Sequence, residues 1–380
     1  EWTKVDGSGE RVPDVSRMSE LFGDAKVLVV DCEAPLDTDL SRREMTFHEY
    51  AKYWHARGDG GDKRLLYCKD WTFTEDFPEY PAYQTPPHFA DDWLNEYWDE
   101  QRDKGVGDGL GSHRFVYLGV QGTHTPLHAD VLRSFSWSVN LAGHKRWRMV
   151  PPHRSRHLLD LTGQRRVPDL ERWKRSDFDF PTVDRAFPLV VDQPPNSALF
   201  VPSLWYHQVR NLTDCLSVNH NWFNASNARL SWAMLRDELD SVRAGLPDAD
   251  DRGDGVLCQS LVERKAGADF KTFAGILASA IRRHMRRAVG EWESESRTRS
   301  GKRRRLDGEN KLDDENGRAL RVAVDLLEEV LDADGEEGAS AVASAWEGSE
   351  GALEEARDAL KKGRETLVGN EKLGRRLDRK

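Results

Sequence analysis

Residues 114–150 read RFVYLGVQGTHTPLHADVLRSFSWSVNLAGHKRWRMV, and residues 198–223 read ALFVPSLWYHQVRNLTDCLSVNHNWF. Both stretches consist of short runs rich in β-branched and aromatic residues, which Gly and Pro interrupt. Runs of this length between turn residues favour an antiparallel barrel or jelly roll over a parallel sheet with crossover helices. We therefore predict a mainly β fold with some α, whose core is a double-stranded β-helix over residues 114–227.

The segment before this core, residues 1–113, is predicted to hold α/β elements that pack on it. The run AKVLVVDC indicates a strand, and TFHEYAKYWHAR repeats apolar residues at helical spacing. The predicted elements are a strand over Lys26–Cys32, a helix over Thr46–Arg57, a strand over Leu65–Asp70, and loops over Trp71–Gln101 with a short helix at Asp91–Glu100.

After Asn227 the β pattern stops, and apolar residues recur at helical spacing. Inside the core, His153–Pro188 is predicted to be a charged, irregular insert between strands. The predicted C-terminal parts are a helical region over 228–290 that includes Phe270–Arg287, a charged linker over 291–316, and a helical, partly disordered tail over 317–380 that includes Arg318–Leu331, the Gly- and Ser-rich stretch 332–351, and an amphipathic helix after Ala352.

The formal net charge of −10 over 380 residues argues against broad nucleic-acid binding, because phosphate affinity comes from clustered Lys and Arg. One basic stretch, Arg297–Arg305, reads RTRSGKRRR. It fits a nuclear-import signal or a phosphate-binding arm, but its setting among Gly, Ser, Asp and Glu favours a solvated basic loop.

The cysteines are far apart in the sequence and form no C-x-x-C pair, which argues against a zinc knuckle or a disulfide framework. No run of about 18 apolar residues and no secretory leader is visible in the sequence. We therefore expect reduced thiols, no membrane span and a cytoplasmic protein, nuclear if Arg297–Arg305 acts in import. The cysteines are Cys32, Cys68, Cys215 and Cys258.

The pair His128 and Asp130 lies in one of the predicted strands, where side chains two residues apart project to the same side. A single histidine, His207, follows in a later run after a Pro-bounded turn. Two histidines and one carboxylate form the facial triad of non-haem Fe(II) oxygenases, which leaves positions free for co-substrate and dioxygen. For any one of these histidines alone, an ordinary core or surface role is the more frequent one.

An oxygenase that uses 2-oxoglutarate also has to hold the distal carboxylate of that co-substrate, commonly with a Lys or Arg at a strand end. Lys145 follows a Gly turn, where it faces either into the barrel or into solvent. Strand alternation puts polar side chains on one face of two strands. These are Ser136, Ser138 and Asn140 in one strand and Ser217, Asn219 and Asn221 in the other. For Ser136 and Asn221 we expect ordinary hydrogen bonds within the sheet.

The stretches RFVYLGVQGTHTPLHADVLRSFSWSVNLAGHKRWRMVPP and ALFVPSLWYHQVRNLTDCLSVNHNWFN resemble the JmjC-domain 2-oxoglutarate oxygenases. Within that family they are most similar to the lysyl hydroxylases of a translation release factor. The resemblance extends over Asp31–Arg287 and is most specific over 114–227.

The resemblance implies a role for each matching residue. His128, Asp130 and His207 take the positions of the Fe(II) ligands. The matching co-substrate positions are Lys145, which pairs with the distal carboxylate of 2-oxoglutarate, Thr125 and Tyr67, which reach the same carboxylate, and Asn219 and Ser138, which line the pocket. Ser138 stands where some relatives have Asn, which puts its contact with the co-substrate in doubt.

The implied cofactors are Fe(II), 2-oxoglutarate and O2. The implied reaction is hydroxylation of a lysine side-chain carbon in eukaryotic peptide chain release factor subunit 1, a protein of translation termination. The acidic, aromatic segment Trp71–Glu100 and the insert would attract a cationic target loop. Two alternatives stay open: an N-methyl-lysine demethylase, and a non-catalytic cupin-like binding scaffold. A homodimer through the C-terminal helices is an expectation at the family level.

Overall fold

The computed structural model describes residues 2–34, 41–105, 113–247, 254–298, 314–332 and 350–377. Within these ranges it describes the backbone alone for 288–298, 314 and 369–377. The chain forms two compact units. Unit 1 consists of residues 1–85 and 112–221, and unit 2 consists of residues 86–111 and 222–380.

Unit 1 is built from β-strands with a few short helices. Its helices are α1 (Val15–Phe22), α2 (Phe47–Gly58) and α3 (Phe73–Asp76). Its strands are β1 (Thr3–Val5), β2 (Arg11–Pro13), β3 (Lys26–Asp31), β4 (Arg42–Thr46), β5 (Leu66–Trp71), β6 (Arg114–Gly119), β7 (His124–His128), β8 (Phe135–Ala142), β9 (Lys145–Val150), β10 (Leu189–Gln193), β11 (Ser197–Val201), β12 (Tyr206–Asn211) and β13 (Cys215–Trp222).

Two antiparallel sheets form the core of unit 1. The strand order is β10-β9-β12-β7 in one sheet and β11-β8-β13-β6-β5-β3-β4 in the other, and β1 pairs with β2 separately. From β6 to β13, consecutive strands alternate between the two sheets, except for β9 and β10, which pair with each other in one sheet. This winding is a double-stranded β-helix, so the predicted fold class is confirmed.

The predicted strand Lys26–Cys32, helix Thr46–Arg57 and strand Leu65–Asp70 correspond to β3, α2 and β5 to within one residue at each end. The structure adds β1, β2, α1 and β4, which were not predicted, and α3, which lies in a segment predicted to be a loop. Helix α2 begins after Thr46, whose hydroxyl accepts a hydrogen bond from the Glu49 backbone N–H at 3.2 Å. The Glu49 carboxylate in turn accepts from the Thr46 backbone N–H at 2.8 Å. This reciprocal cap satisfies two backbone donors and sets the helix start.

The insert between β9 and β10 contains 3-10 turns at Pro152–Leu158 and Val183–Ala186, and no α-helix or strand among its residues, all of which are described. Its irregular character is thus as predicted, but it has an apolar core of its own. That core comprises Leu158, Val167, Phe180, Val183 and Ala186 together with Val150 of β9. Leu127 and Tyr206, the neighbours of His128 and His207, pack against it.

Unit 2 is helical, as predicted. Its helices are α4 (Trp93–Asp103), α5 (Ala228–Gly245), α6 (Gly255–Ala266), α7 (Phe270–Thr298), α8 (Asp314–Asp332) and α9 (Glu350–Leu377). Helix α7 extends past the predicted end at Arg287, whereas residues 299–313, most of the predicted linker and of the basic stretch, lie outside the described residues. In the part of the chain that the structure describes, no helix has an apolar stretch long enough to cross a bilayer.

The acidic residues of α4 and its preceding turn form ion pairs inside unit 2. Asp91 lies 3.3 Å from Arg283, Glu96 also pairs with Arg283, and Glu100 lies 3.0 Å from Arg282. These carboxylates therefore neutralise arginines of α7. Their contribution to attracting a cationic target is correspondingly smaller than the sequence alone suggests.

Candidate active site

His128 and His207 lie opposite each other on adjacent strands. Strands β7 and β12 pair antiparallel, with the Cα atoms of the two histidines in register. The two imidazole ring centroids are 4.2 Å apart. The strand pairing therefore brings together two histidines that are 79 residues apart in the sequence.

Asp130 completes the cluster from just beyond the end of β7. Its backbone is still extended, with φ −64° and ψ 145°, so the alternation of side chains continues past the strand. Its Oδ1 atom lies 4.0 Å from His128 Nε2 and 3.9 Å from His207 Nε2. A turn follows in which Leu132 and Arg133 have positive φ values of 55° and 47°.

The hydrogen bonds of both histidines leave the same nitrogen free. His128 Nδ1 lies 2.9 Å from the Pro126 carbonyl oxygen, and His207 Nδ1 lies 3.2 Å from the Trp205 carbonyl oxygen. Because a carbonyl oxygen can only accept, Nδ1 carries the proton and donates in each bond. Nε2 is therefore the nitrogen that faces Asp130 in both residues, and a hydrogen bond from Nδ1 to a carbonyl is typical of metal-binding histidines.

The electrostatics of the site favour a neutral His128 imidazole beside an ionised Asp130 carboxylate. Burial, followed by the neighbouring His207, lowers the pKa of His128 to about 4. Burial acts to raise the pKa of Asp130, but His207, His128 and hydrogen bonds from Ser136 and Asn221 outweigh it, and the pKa is lowered. The candidate donor atoms lie within 4.8 Å of one another. Two imidazole nitrogens and one carboxylate fit a divalent ion of the Fe(II) type.

Lys145 is a buried cation at the start of β9, just after the turn at Gly143. Its side chain is 2% exposed, and Nζ donates to Ser217 Oγ at 2.6 Å. Among the described residues, no carboxylate lies within ion-pair distance of Nζ. Burial lowers the pKa of Lys145 to about 8. A buried ammonium without a counter-ion is costly, so this group is suited to an anionic ligand.

The other predicted co-substrate residues differ in position. Tyr67, Thr125 and Asn219 line the same cavity as the His–Asp–His cluster and Lys145. Ser138 does not line it, but its hydroxyl donates to Asn219 Oδ1 at 3.1 Å. The structure thus brings all the predicted site residues to one region of the barrel. Ser138 is the one that does not line the cavity itself, and it is hydrogen-bonded to Asn219, which does.

Several residues that the sequence reasoning did not assign to the site also belong to it. Ser136 donates to Asp130 Oδ2 at 2.7 Å, and Asn221 hydrogen-bonds the same carboxylate, so the expectation of ordinary sheet hydrogen bonds was wrong for both. The alternating polar face of β8 and β13 was the signal that could have indicated them. Tyr117 and Trp147 line the cavity as well, and the Trp147 ring centroid is 5.7 Å from that of His207.

Asp70 provides a carboxylate one hydrogen bond away from the cavity wall. It lies in a bulge of β5, at a φ of 59° that non-glycine residues seldom adopt. Tyr117, which lines the cavity, donates its hydroxyl to Asp70 Oδ1 at 2.5 Å. The Asp70 side chain remains 35% exposed, and Lys69 Nζ lies 3.9 Å away. Asp70 is therefore a partly exposed carboxylate that lies one hydrogen bond away from a cavity-lining residue.

Comparison with known proteins agrees with this geometry. The family model described as JmjC domain, hydroxylase, matches residues 115–222. The chain is 37% identical over 283 residues to Arginine-specific demethylase JMJ20 of Arabidopsis thaliana, covering 72% of this chain and 60% of that protein.

Two further relatives carry the name 2-oxoglutarate and iron-dependent oxygenase JMJD4. The protein from Gallus gallus is 35% identical over 271 residues, covering 70% of this chain and 62% of that one. The protein from Danio rerio is 35% identical over 286 residues, covering 73% and 64%. The chain thus spans somewhat less than two thirds of the length of these curated relatives. With its barrel and its His–Asp–His cluster, the matched region, residues 115–222, is a JmjC domain, and the chain is similar to relatives named 2-oxoglutarate and iron-dependent oxygenases.

Proposed function

We propose that the protein hydroxylates a lysine side-chain carbon in a protein substrate, and that this substrate is eukaryotic peptide chain release factor subunit 1. The resemblance to relatives named 2-oxoglutarate and iron-dependent oxygenase supports the reaction class. The observation that carries the proposal is the convergence of His128, Asp130 and His207 beside the buried, unpaired Lys145.

In this proposal His128, Asp130 and His207 hold Fe(II), and Lys145 with Tyr67 and Thr125 holds the distal carboxylate of 2-oxoglutarate. Bound Fe(II) supplies the coupling of 2-oxoglutarate decarboxylation by O2 to oxidation of a substrate C–H bond. One oxygen atom of O2 ends in succinate and the other in the substrate hydroxyl, with release of CO2. Ser136 and Asn221 orient Asp130, while the buried Trp147 limits water beside His207.

The position of Asp70 supports the proposal that the substrate side chain is cationic. Its carboxylate is partly exposed and hydrogen-bonded to Tyr117, which lines the cavity, so a lysine ammonium could pair with it while a carbon of the same side chain lies in the cavity. Hydroxylation at carbon leaves that charge in place, and the ion pair can therefore form before and after the reaction.

The test is turnover with the release factor. The purified protein with Fe(II), 2-oxoglutarate and the release factor should produce succinate, and mass spectrometry should find one added oxygen atom on a lysine. His128→Ala should produce neither. Succinate that forms without any added oxygen on the release factor would remove this substrate from the proposal.

A second candidate is N-methyl demethylation, which the similarity to a relative named Arginine-specific demethylase favours. Hydroxylation of an N-methyl group releases formaldehyde and leaves the unmethylated amine or guanidine. Formaldehyde produced from methylated arginine or lysine peptides, with no hydroxylation of unmethylated ones, would support this candidate over the first.

A third candidate, a non-catalytic binding scaffold, predicts a different result. Capture of a protein partner would then survive His128→Ala unchanged, with no succinate formed by the wild-type protein.

For the location we propose the cytoplasm, where release factors act. Fluorescence microscopy of the tagged protein with and without Arg297–Arg305 tests both this location and nuclear import.

A further inference from the structure

A second cavity lies in the seam between β10 and β11, the edge strands of the two barrel sheets. Its volume is about 440 Å³, and its lining is mainly apolar. Its apolar lining includes Met149, Leu189, Val191, Leu199, Pro202 and Trp205. Leu189 is 53% exposed and Phe200, which also lines the cavity, is 42% exposed, so the cavity is open to solvent.

An apolar cluster lies between this seam cavity and the metal-site cavity. Trp147, Met149, Val201 and Val209 form a single buried cluster. Trp147 and Val209 line the metal-site cavity, while Met149 lines the seam cavity. This apolar cluster therefore borders both cavities, through Trp147 and Val209 on one side and Met149 on the other, and none of its four residues is charged.

Two residues of this apolar cluster differ in what holds their side chains. Trp147 is held by its indole N–H, which donates to Gln193 Oε1 at 2.8 Å, and Gln193 in turn donates to the Ser138 carbonyl at 2.9 Å. Met149 has an unbranched side chain with several rotatable bonds. Its Cα atom is in register with that of His207. Rotation of Met149 is the movement that would join the two cavities next to His207.

The chemistry of the seam cavity restricts its ligand. Its polar side chains are already engaged: Asp192 with Arg146 at 2.7 Å, Gln193 with Trp147, and Ser197 with the Pro194 carbonyl at 2.6 Å. Such a surface does not recognise charged molecules, whereas apolar cavities do bind small apolar gases such as xenon. Of the three reactants in the proposed function, 2-oxoglutarate and a lysine side chain are charged, and O2 is apolar.

We propose that the seam cavity is the entry site for dioxygen, which reaches the metal site past Met149. This inference rests on the proposed function, because it assumes that the metal site consumes O2. On this path, O2 would enter apart from the polar side of the metal-site cavity, where Lys145 and Asp70 would hold the two charged reactants.

The first experiment uses xenon as the probe and does not require turnover. Crystals of the metal-free protein under xenon pressure should show xenon in the seam cavity. Val191→Trp fills this cavity and should abolish the xenon site. Val190→Trp is the matched control, since Val190 is the next residue of β10, is 53% exposed and does not line the cavity.

The second experiment measures the KM for O2 by succinate production at saturating 2-oxoglutarate. Val191→Trp should raise this KM several-fold while leaving the KM for 2-oxoglutarate unchanged, and Val190→Trp should change neither. Leu199→Phe fills the cavity from β11 and serves if Val191→Trp does not fold.

The outcomes are separable. Absence of xenon from the cavity, or an unchanged KM for O2 in the filled variants, would overturn the entry site while leaving the oxygenase intact. A raised KM for the protein substrate alone would assign the seam to that substrate. If the wild-type protein never turns over 2-oxoglutarate, the proposed function fails, and the entry site fails with it.

Discussion

The ammonium nitrogen of Lys145 lies 2.6 Å from Ser217 Oγ, and this hydroxyl takes the place of a counter-ion. Lys145→Met should therefore leave the co-substrate-free protein as stable as the wild type or more stable, since a buried charge is removed. The same change should weaken 2-oxoglutarate binding by about 2–5 kcal/mol. Thermal unfolding and calorimetric titration measure the two effects. A lower Tm with unchanged 2-oxoglutarate affinity would show that Lys145 is only structural.

The affinity for 2-oxoglutarate should depend on pH through Lys145. Burial lowers the pKa of this lysine to about 8, so the free protein loses the binding charge above that pH. The Kd for 2-oxoglutarate should rise by about tenfold per pH unit above pH 8. Burial also raises the pKa of Tyr67 and Tyr117 well above the usual range, so neither titrates there.

Lys145→Arg is the control for that profile, because guanidinium keeps its charge over the whole range. Its Kd, measured by titration from pH 7 to 10, should be higher than that of the wild type at pH 7 but flat. A sloping profile in this variant would assign the titration to another group.

Ser136→Ala should weaken Fe(II) binding by about 10- to 100-fold, because Ser136 orients the Asp130 carboxylate. Ser138→Ala is a matched control two residues along the same strand, where the hydroxyl bonds to Asn219 and not to Asp130. Anaerobic Fe(II) titration followed by the absorbance of the 2-oxoglutarate complex gives both affinities. Equal losses in the two variants would contradict a specific role for Ser136.

Asp70→Asn should raise the KM for a cationic protein substrate while leaving the KM for 2-oxoglutarate unchanged. Asn tolerates the positive φ of this position and still accepts a hydrogen bond from Tyr117, so the variant removes the charge with little effect on the fold. Lys69→Met, the neighbouring change of charge, should not raise the substrate KM. A higher KM for 2-oxoglutarate in Asp70→Asn would instead place Asp70 with the co-substrate.

Gly143→Ala should destabilise unit 1 by about 1–3 kcal/mol. Gly143 has a φ of 76°, and an added Cβ would lie 2.0 Å from the Asp214 carbonyl oxygen. Gly163→Ala is the control, because Gly163 has a similar φ of 74° with nothing within 4 Å of the added atom. Urea unfolding should show the larger loss for Gly143. Equal losses would mean that the backbone angle alone, and not the close approach, requires glycine.

Local patterns were sufficient to predict the winding of the barrel and the common side of His128 and Asp130. Both depend on the alternation of side chains along an extended backbone, which continues through Asp130 although β7 ends at His128. The turn at Gly143, before Lys145, could likewise be predicted, because a glycine there marks where one strand ends and the next begins.

The register between strands that are far apart in the chain could not be predicted from the sequence. The register that sets His207 against His128 depends on contacts between strands far apart in the chain. Ser136 and Asn221 look like ordinary sheet residues until the position of Asp130 is known. The bulge that exposes Asp70 has no glycine or proline to mark it, and the arginine partners of Asp91, Glu96 and Glu100 lie about 180 to 190 residues away.

The insert between β9 and β10 packs its apolar core against Leu127 and Tyr206, each adjacent to one of the histidines of the site. The two strands that carry these histidines therefore share one support on their outer side. Hydrogen exchange at their backbone amides should be as slow as that of the insert core, and the three segments should open together. A minimal catalytic domain made by deleting residues 153–188 would lose this support, and protein engineering of the barrel has to keep the insert.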